Sequence, residues 1–133
     1  MNEHTPEIGA HELFTRLSEK EPTHIILPTL AALLSVNEAI VLQHLHSMLF
    51  DEFNSIDGHR WVDKTYAEWR EIFPFWSEKT LSRIFLKLEK RGFVISSQPK
   101  RHHFNSSKSY RINYDNLGEF LAQHNIKMNE PAY

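Results

Sequence analysis

The segment from Ser77 to Gly92 constrains the fold most, because it carries a start signal, a stop signal and two chemically different faces. Serine is a preferred residue at helix N-termini, and glycine commonly ends helices. At roughly 100° per residue, four apolar side chains fall within about 100° of arc, opposite a basic face. These apolar residues are Leu81, Ile84, Phe85 and Leu88. The pattern predicts a helix over 77–91 that packs on a core and directs cationic side chains outward.

A shorter helix is predicted immediately before this one. Thr65 and Glu68 have the spacing of a capping box, which opens a helix of about two turns. Pro74 ends that helix, since the residue before a proline avoids the α region. Residues 74–76 then form a tight turn, so the two helices have the order of a helix-turn-helix.

A second capping box, at Ser35 and Glu38, predicts an earlier helix that continues to about Phe50. In this motif the Ser35 hydroxyl accepts from the Glu38 amide, and the Glu38 carboxylate returns to the Ser35 amide. Residues 51–60 have turn chemistry and predict a loop. Residues 61–64 are β-prone and predict a short first strand.

Two further strands are predicted after the long helix, at 93–97 and 108–114, joined by the polar hairpin loop 98–107. The second strand has one apolar face, formed by Tyr110, Ile112 and Tyr114. The predicted fold is therefore mainly α with a small antiparallel β-hairpin wing, a winged helix-turn-helix.

Three regions are predicted along the chain. Residues 1–24 form an N-terminal arm and a short amphipathic helix, because three apolar side chains in this stretch have helical spacing. Those side chains are Leu13, Phe14 and Leu17. Residues 25–124 form the winged-helix domain, which includes a last helix at 115–124, and residues 125–133 form a C-terminal tail.

Charge is unevenly distributed along the chain. Nine basic and two acidic residues give the segment 78–111 a formal charge of +7. Because the whole chain has a net charge of -2, the remaining residues together carry -9. Lysine and arginine on a single-sign face bind phosphates and release counterions. The basic segment therefore predicts contact with double-stranded DNA.

The candidate DNA-binding residues lie on the long helix and in the hairpin. Arg83 is placed to contact guanine in a major groove, and the wing has a length and chemistry suited to a minor groove or flanking backbone. The candidates are Ser77, Lys79, Thr80, Ser82, Arg83, Lys87, Lys90, Lys100, Arg101, His102, His103 and Lys108.

Several other functions are disfavoured by the sequence. There is no cysteine, no phosphate-binding glycine loop and no nucleophile elbow, so we expect neither an enzyme nor a cofactor. His44 and His46, two apart, are poorly spaced for a shared metal. No stretch is apolar enough for a membrane span, and the N-terminus lacks a signal peptide, so a cytoplasmic location is expected. The aromatic residues Trp61, Trp69, Phe73, Phe75 and Trp76 are expected to pack in the core rather than to stack on single strands.

Residues 61–96 closely resemble the winged-helix domain at the start of phage and plasmid replication proteins. The most specific matches are Phe-Pro-Phe-Trp-Ser at 73–77 and Leu-Glu-Lys-Arg-Gly at 88–92. Residues 38–43 resemble the first core helix of that family, and residues 108–114 resemble its closing strand.

The resemblance covers roughly residues 35–117 and implies origin or operator binding on a mobile genetic element. It leaves open replication initiation and transcriptional regulation, and it leaves open a homodimer and a replication or other protein partner. A different hypothesis follows from the acidic remainder of the chain. A protein-binding winged helix that inhibits or adapts a nucleic-acid-processing complex would show the same charge pattern.

Overall fold

The computed structural model describes residues 9–51, 53–97 and 107–124 of the 133-residue chain. It is mainly helical and contains a small four-stranded antiparallel sheet. The helices are α1 (Ala10–Lys20), α2 (Pro28–Leu33), α3 (Val36–Asp51), α4 (Tyr66–Ile72), α5 (Glu78–Lys90) and α6 (Tyr114–Gln123). The strands are β1 (Asn54–Ile56), β2 (His59–Lys64), β3 (Val94–Ser97) and β4 (Lys108–Ile112), in the sheet order β1-β2-β4-β3.

The local signals around α4 and α5 act as predicted. Thr65 caps α4 with both halves of a capping box, and its hydroxyl accepts from the Glu68 amide at 3.1 Å. Ser77 caps α5, where its hydroxyl accepts from the Thr80 amide at 3.1 Å. Each cap satisfies an amide that the first turn of a helix leaves unpaired.

Gly92 ends α5 as predicted, with a φ of +79°. The Phe93 amide donates to the Leu88 carbonyl at 3.0 Å, and the Gly92 amide donates to the Glu89 carbonyl at 2.9 Å. This pair of bonds is a Schellman motif, which requires a left-handed residue after the helix. The motif turns the chain directly from α5 into β3.

The predicted loop at 51–60 was wrong in part, because it contains β1 and the turn of a hairpin. Asp57 and Gly58 have φ values of +52° and +77° and join β1 to β2. Two left-handed residues in a two-residue connection match the twist of a hairpin. All three residues of β1 are exposed, so the strand has no buried face that an apolar alternation could reveal.

Tyr114 was also predicted wrongly, as part of the last strand. Strand β4 ends at Ile112, and the Asn113 side chain accepts from the Asn116 amide at 3.1 Å to cap α6. Tyr114 is therefore the first residue of a helix and is about half exposed, whereas Tyr110 and Ile112 are buried. The Asn113 cap starts α6 directly after β4, so the strand does not continue to Tyr114.

The core lies between one face of the sheet and helices α3, α4 and α5. Trp69 at its centre contacts Phe85 at 5.1 Å and Tyr110 at 5.5 Å between ring centroids. Burial raises the pKa of the Tyr110 phenol above its usual range. Helix α1 forms where the sequence predicts a helix, but it has no buried residue, and Phe14 is 74% exposed.

Candidate nucleic-acid interface

Helix α5 has the two faces that its sequence predicts. The apolar stripe is buried against the core, and the opposite face is exposed. The exposed residues on that face are Lys79, Ser82, Arg83, Leu86, Lys87 and Lys90. Thr80 lies at the border and is half-buried. Four cations from our candidate set thus share one side of one helix.

These four cations are not neutralised within the described residues. Neither a hydrogen bond nor an ion pair joins Lys79, Arg83, Lys87 or Lys90 to any described carboxylate. The two acids of the helix lie elsewhere. Glu89 is half-buried and accepts a short hydrogen bond from Ser96 of β3. Glu78 lies in the first turn of α5, where a negative charge complements the helix dipole. The basic face therefore keeps its full charge for a ligand.

An ion pair fixes the end of α5 to the beginning of α3. The Arg91 Nε donates to Glu38 Oε2 at 2.6 Å, and Arg91 Nη2 donates to Oε1 at 3.4 Å. Ser35 Oγ donates to Glu38 Oε1 at 3.0 Å and accepts from the Glu38 amide at 3.1 Å. The second half of the predicted capping box is thus wrong, since the carboxylate bonds to Ser35 Oγ and Arg91 rather than to the Ser35 amide. A buried carboxylate gains more from a guanidinium than from an amide.

Arg91 and Arg111 therefore do not extend the basic face, although the count of +7 included both. Arg91 is neutralised by Glu38, and the Arg111 guanidinium lies 5.3 Å from the Trp61 ring centroid on the sheet. The sequence cannot show this, because Glu38 and Arg91 are 53 positions apart. Arg91 positions α5 instead of facing outward from it.

The hydroxyl residues at the start of α5 are committed to capping. Ser77 Oγ donates to Thr80 Oγ1 at 3.1 Å while it accepts from the Thr80 amide. Ser77 thus fixes the first turn, and its hydroxyl hydrogen is already used. Ser82 has no such role and remains exposed.

A cleft of about 420 Å³ separates the first turns of α3 from α5. Thr80, Arg83 and Lys87 line it from α5, and Asn37 lines it from α3. Glu38 also lines this cleft, but its charge is compensated by Arg91. The cleft therefore brings Arg83 and Lys87 together with polar side chains at the edge of the basic face that faces α3.

The predicted wing is only partly described. Lys108 is half-buried at the start of β4, in register with Lys64 of β2, and its Nζ lies 5.8 Å from the Tyr66 ring centroid. It therefore lies beside the start of α4. The other wing candidates lie outside the described residues, and they are Lys100, Arg101, His102 and His103.

The aromatic residues before α5 are divided between core and surface. Trp69 and Phe73 are buried, which confirms the predicted packing. Phe75 is 57% exposed, so its predicted burial was wrong. Its ring lies 4.8 Å from that of Trp76, and both belong to the turn between α4 and α5. Pro74 is also exposed, so of the three turn residues only Trp76 packs against the core.

The described part of the chain contains no cluster of three or more side chains that could ligate a metal. None of its helices combines the length and apolar character needed to cross a membrane. Comparison of the chain with protein-family models, with curated proteins and with solved structures finds no match.

Proposed function

We propose that this chain is a winged helix-turn-helix protein that binds double-stranded DNA. Helices α4 and α5 with the turn between them form the helix-turn-helix, and the hairpin of β3 and β4 forms the wing. The observation that carries the proposal is the unneutralised cationic face of α5, directly opposite its buried stripe. A solvated face without a ligand usually mixes charges of both signs.

In the proposed complex α5 lies in a major groove. Lys79, Lys87 and Lys90 contact phosphates, which supplies affinity that does not depend on sequence. Arg83, near the middle of the exposed face, supplies sequence preference by a bidentate contact with guanine O6 and N7. Leu86 is 51% exposed among these cations and provides an apolar contact for a thymine methyl group.

We further propose, from the resemblance described above, that the DNA is an origin or operator of a mobile genetic element. Both replication initiation and transcriptional regulation use such a site. The homodimer and the replication-protein partner remain predictions.

The proposal is tested with Arg83→Ala and Lys87→Ala combined, in a fluorescence anisotropy titration on a labelled duplex of about 25 base pairs. Loss of the Lys87 phosphate contact reduces the slope of log affinity against log salt by about 1, and loss of the Arg83 contact with guanine weakens binding further. The matched control combines Arg16→Ala and Lys20→Ala, which removes the same charge from the exposed helix α1. We expect the control to bind nearly as the wild type does.

Equal loss of binding in both double variants would overturn the assignment of α5, because it would show that net charge alone matters. No duplex binding by the wild type would favour the protein-binding hypothesis instead.

A further inference from the structure

A second cleft, here named the arginine cleft, shares no lining residue with α5. It lies between the C-terminal half of α3, the beginning of β2, the end of β4 and the beginning of α6. Its volume is about 520 Å³, within the range of small-molecule sites. The residues that give it chemical character are His46, Phe50, His59, Arg60, Arg111 and Tyr114.

The lining is cationic and uncompensated. No acidic side chain from the described ranges lines the arginine cleft, and no described carboxylate forms an ion pair with Arg60 or Arg111. Two guanidinium groups in one cleft repel each other unless an anion lies between them. The opposite is found at Arg91, where a carboxylate meets the guanidinium.

Both arginines are held in place by their surroundings. Arg60 donates to the Leu49 carbonyl at 3.3 Å, and its guanidinium lies 4.3 Å from the Phe53 ring centroid. Arg111 packs on Trp61, and its Nε is buried with no hydrogen-bond partner among the described residues. Because this Nε is closed to solvent, an acceptor in the cleft would meet the terminal Nη groups of Arg111 and not the Nε.

The cleft also presents aromatic surface beside these charges. His46 Nδ1 and the Tyr114 hydroxyl are 2.7 Å apart, which joins α3 to α6. The Phe50 and Tyr114 rings flank His46 at 5.3 and 5.7 Å between centroids, and both rings are about half exposed or more. Burial raises the pKa of the Tyr114 phenol, and the charge of Arg60, which lines the same cleft, offsets part of that rise. Exposed rings next to paired cations suit a ligand that is both flat and anionic.

We propose that the arginine cleft binds a small planar molecule that carries a phosphate group, of the nucleoside monophosphate class. The phosphate lies between the Arg60 and Arg111 guanidinium groups, since planar guanidinium forks match phosphate oxygens. The base of the ligand contacts Phe50 and Tyr114. This inference does not depend on DNA binding by α5.

The first test uses adenosine monophosphate, adenosine and inorganic phosphate as separate probes in isothermal titration calorimetry on the full chain. A charge-assisted hydrogen bond contributes about 1.5–3 kcal/mol, so losing the phosphate weakens binding by about tenfold or more. We expect saturable binding of the monophosphate, and at least tenfold weaker binding of the other two probes. Binding of adenosine or of phosphate as tight as that of the monophosphate would overturn the proposal, and so would no binding of the monophosphate.

Variants then place the ligand. Arg60→Gln and Arg111→Lys are expected to weaken binding of the monophosphate by about tenfold each. The control is Arg16→Gln on α1, which is expected to bind normally. Arg111→Lys also alters the packing of Arg111 on Trp61. Arg60 is exposed, so Arg60→Gln tests the cleft without altering that packing. Wild-type affinity in Arg60→Gln and Arg111→Lys would contradict the assignment. Loss of duplex binding in the α5 variants has no bearing on either result.

Discussion

The ion pair between Glu38 and Arg91 gives the sharpest prediction about stability, because it joins two helices through one buried charge. The Glu38 side chain is 3% exposed and that of Arg91 is 36% exposed. Removal of one partner from a fully buried pair costs about 3–5 kcal/mol, since the other charge stays buried and unpaired. Arg91 is partly solvated and Glu38 keeps the Ser35 hydroxyl, so we expect about 2–3 kcal/mol.

The perturbation is Arg91→Met, which keeps the length of the side chain and removes its charge. Urea unfolding gives the free energy of unfolding, and the midpoint of thermal unfolding is expected to fall by about 10 °C. A double-mutant cycle with Glu38→Gln isolates the pair itself, with an expected coupling of about 1.5–3 kcal/mol.

The matched control is Arg16→Met, which removes the exposed ion pair between Arg16 and Glu12, 2.8 Å apart on α1. Exposed pairs of this kind contribute less than about 0.5 kcal/mol. The reasoning is refuted if Arg91→Met costs no more than Arg16→Met, because the buried carboxylate would then need no partner.

Two further predictions concern the ends of α5. Gly92→Ala is expected to cost about 2 kcal/mol in urea unfolding, because its φ is +79° and a Cβ would lie 2.9 Å from the Asn116 Nδ2. Gly58→Ala, at a φ of +77° with open space around it, is the control, and an equal cost in both would show that the Asn116 contact is irrelevant. Ser77→Ala is expected to cost about 1 kcal/mol by loss of the cap, and Ser77→Asp is expected to retain the cap, as thermal unfolding would measure. Equal destabilisation by both would argue against capping as the role of Ser77.

Local signals were sufficient to predict the helices that position the candidate interface. The caps at Thr65 and Ser77 and the end at Gly92 each depend on residues within five positions of one another, so their chemistry is visible in a short window. The two faces of α5 follow from its period for the same reason. These features can therefore be predicted without knowing which elements pack against the helices.

Features that depend on distant partners could not be predicted. No spacing rule links Glu38 to Arg91, so the sequence alone does not distinguish Arg91 from a free cation. Strand β1 pairs with β2, but all three of its side chains are exposed. Its sequence therefore lacks the alternation of apolar and polar residues that identifies a strand. The arginine cleft combines α3, β2, β4 and α6, and only the fold brings Arg60 and Arg111 to one site.

The central claim is that the basic face of α5 contacts the phosphates of a duplex, and the salt dependence of wild-type binding tests it most directly. Anisotropy titrations between roughly 50 and 200 mM salt give the slope of log affinity against log salt. Three phosphate contacts from Lys79, Lys87 and Lys90 predict a slope of about -3. A slope near zero, or no binding at the lowest salt concentration, would contradict the account.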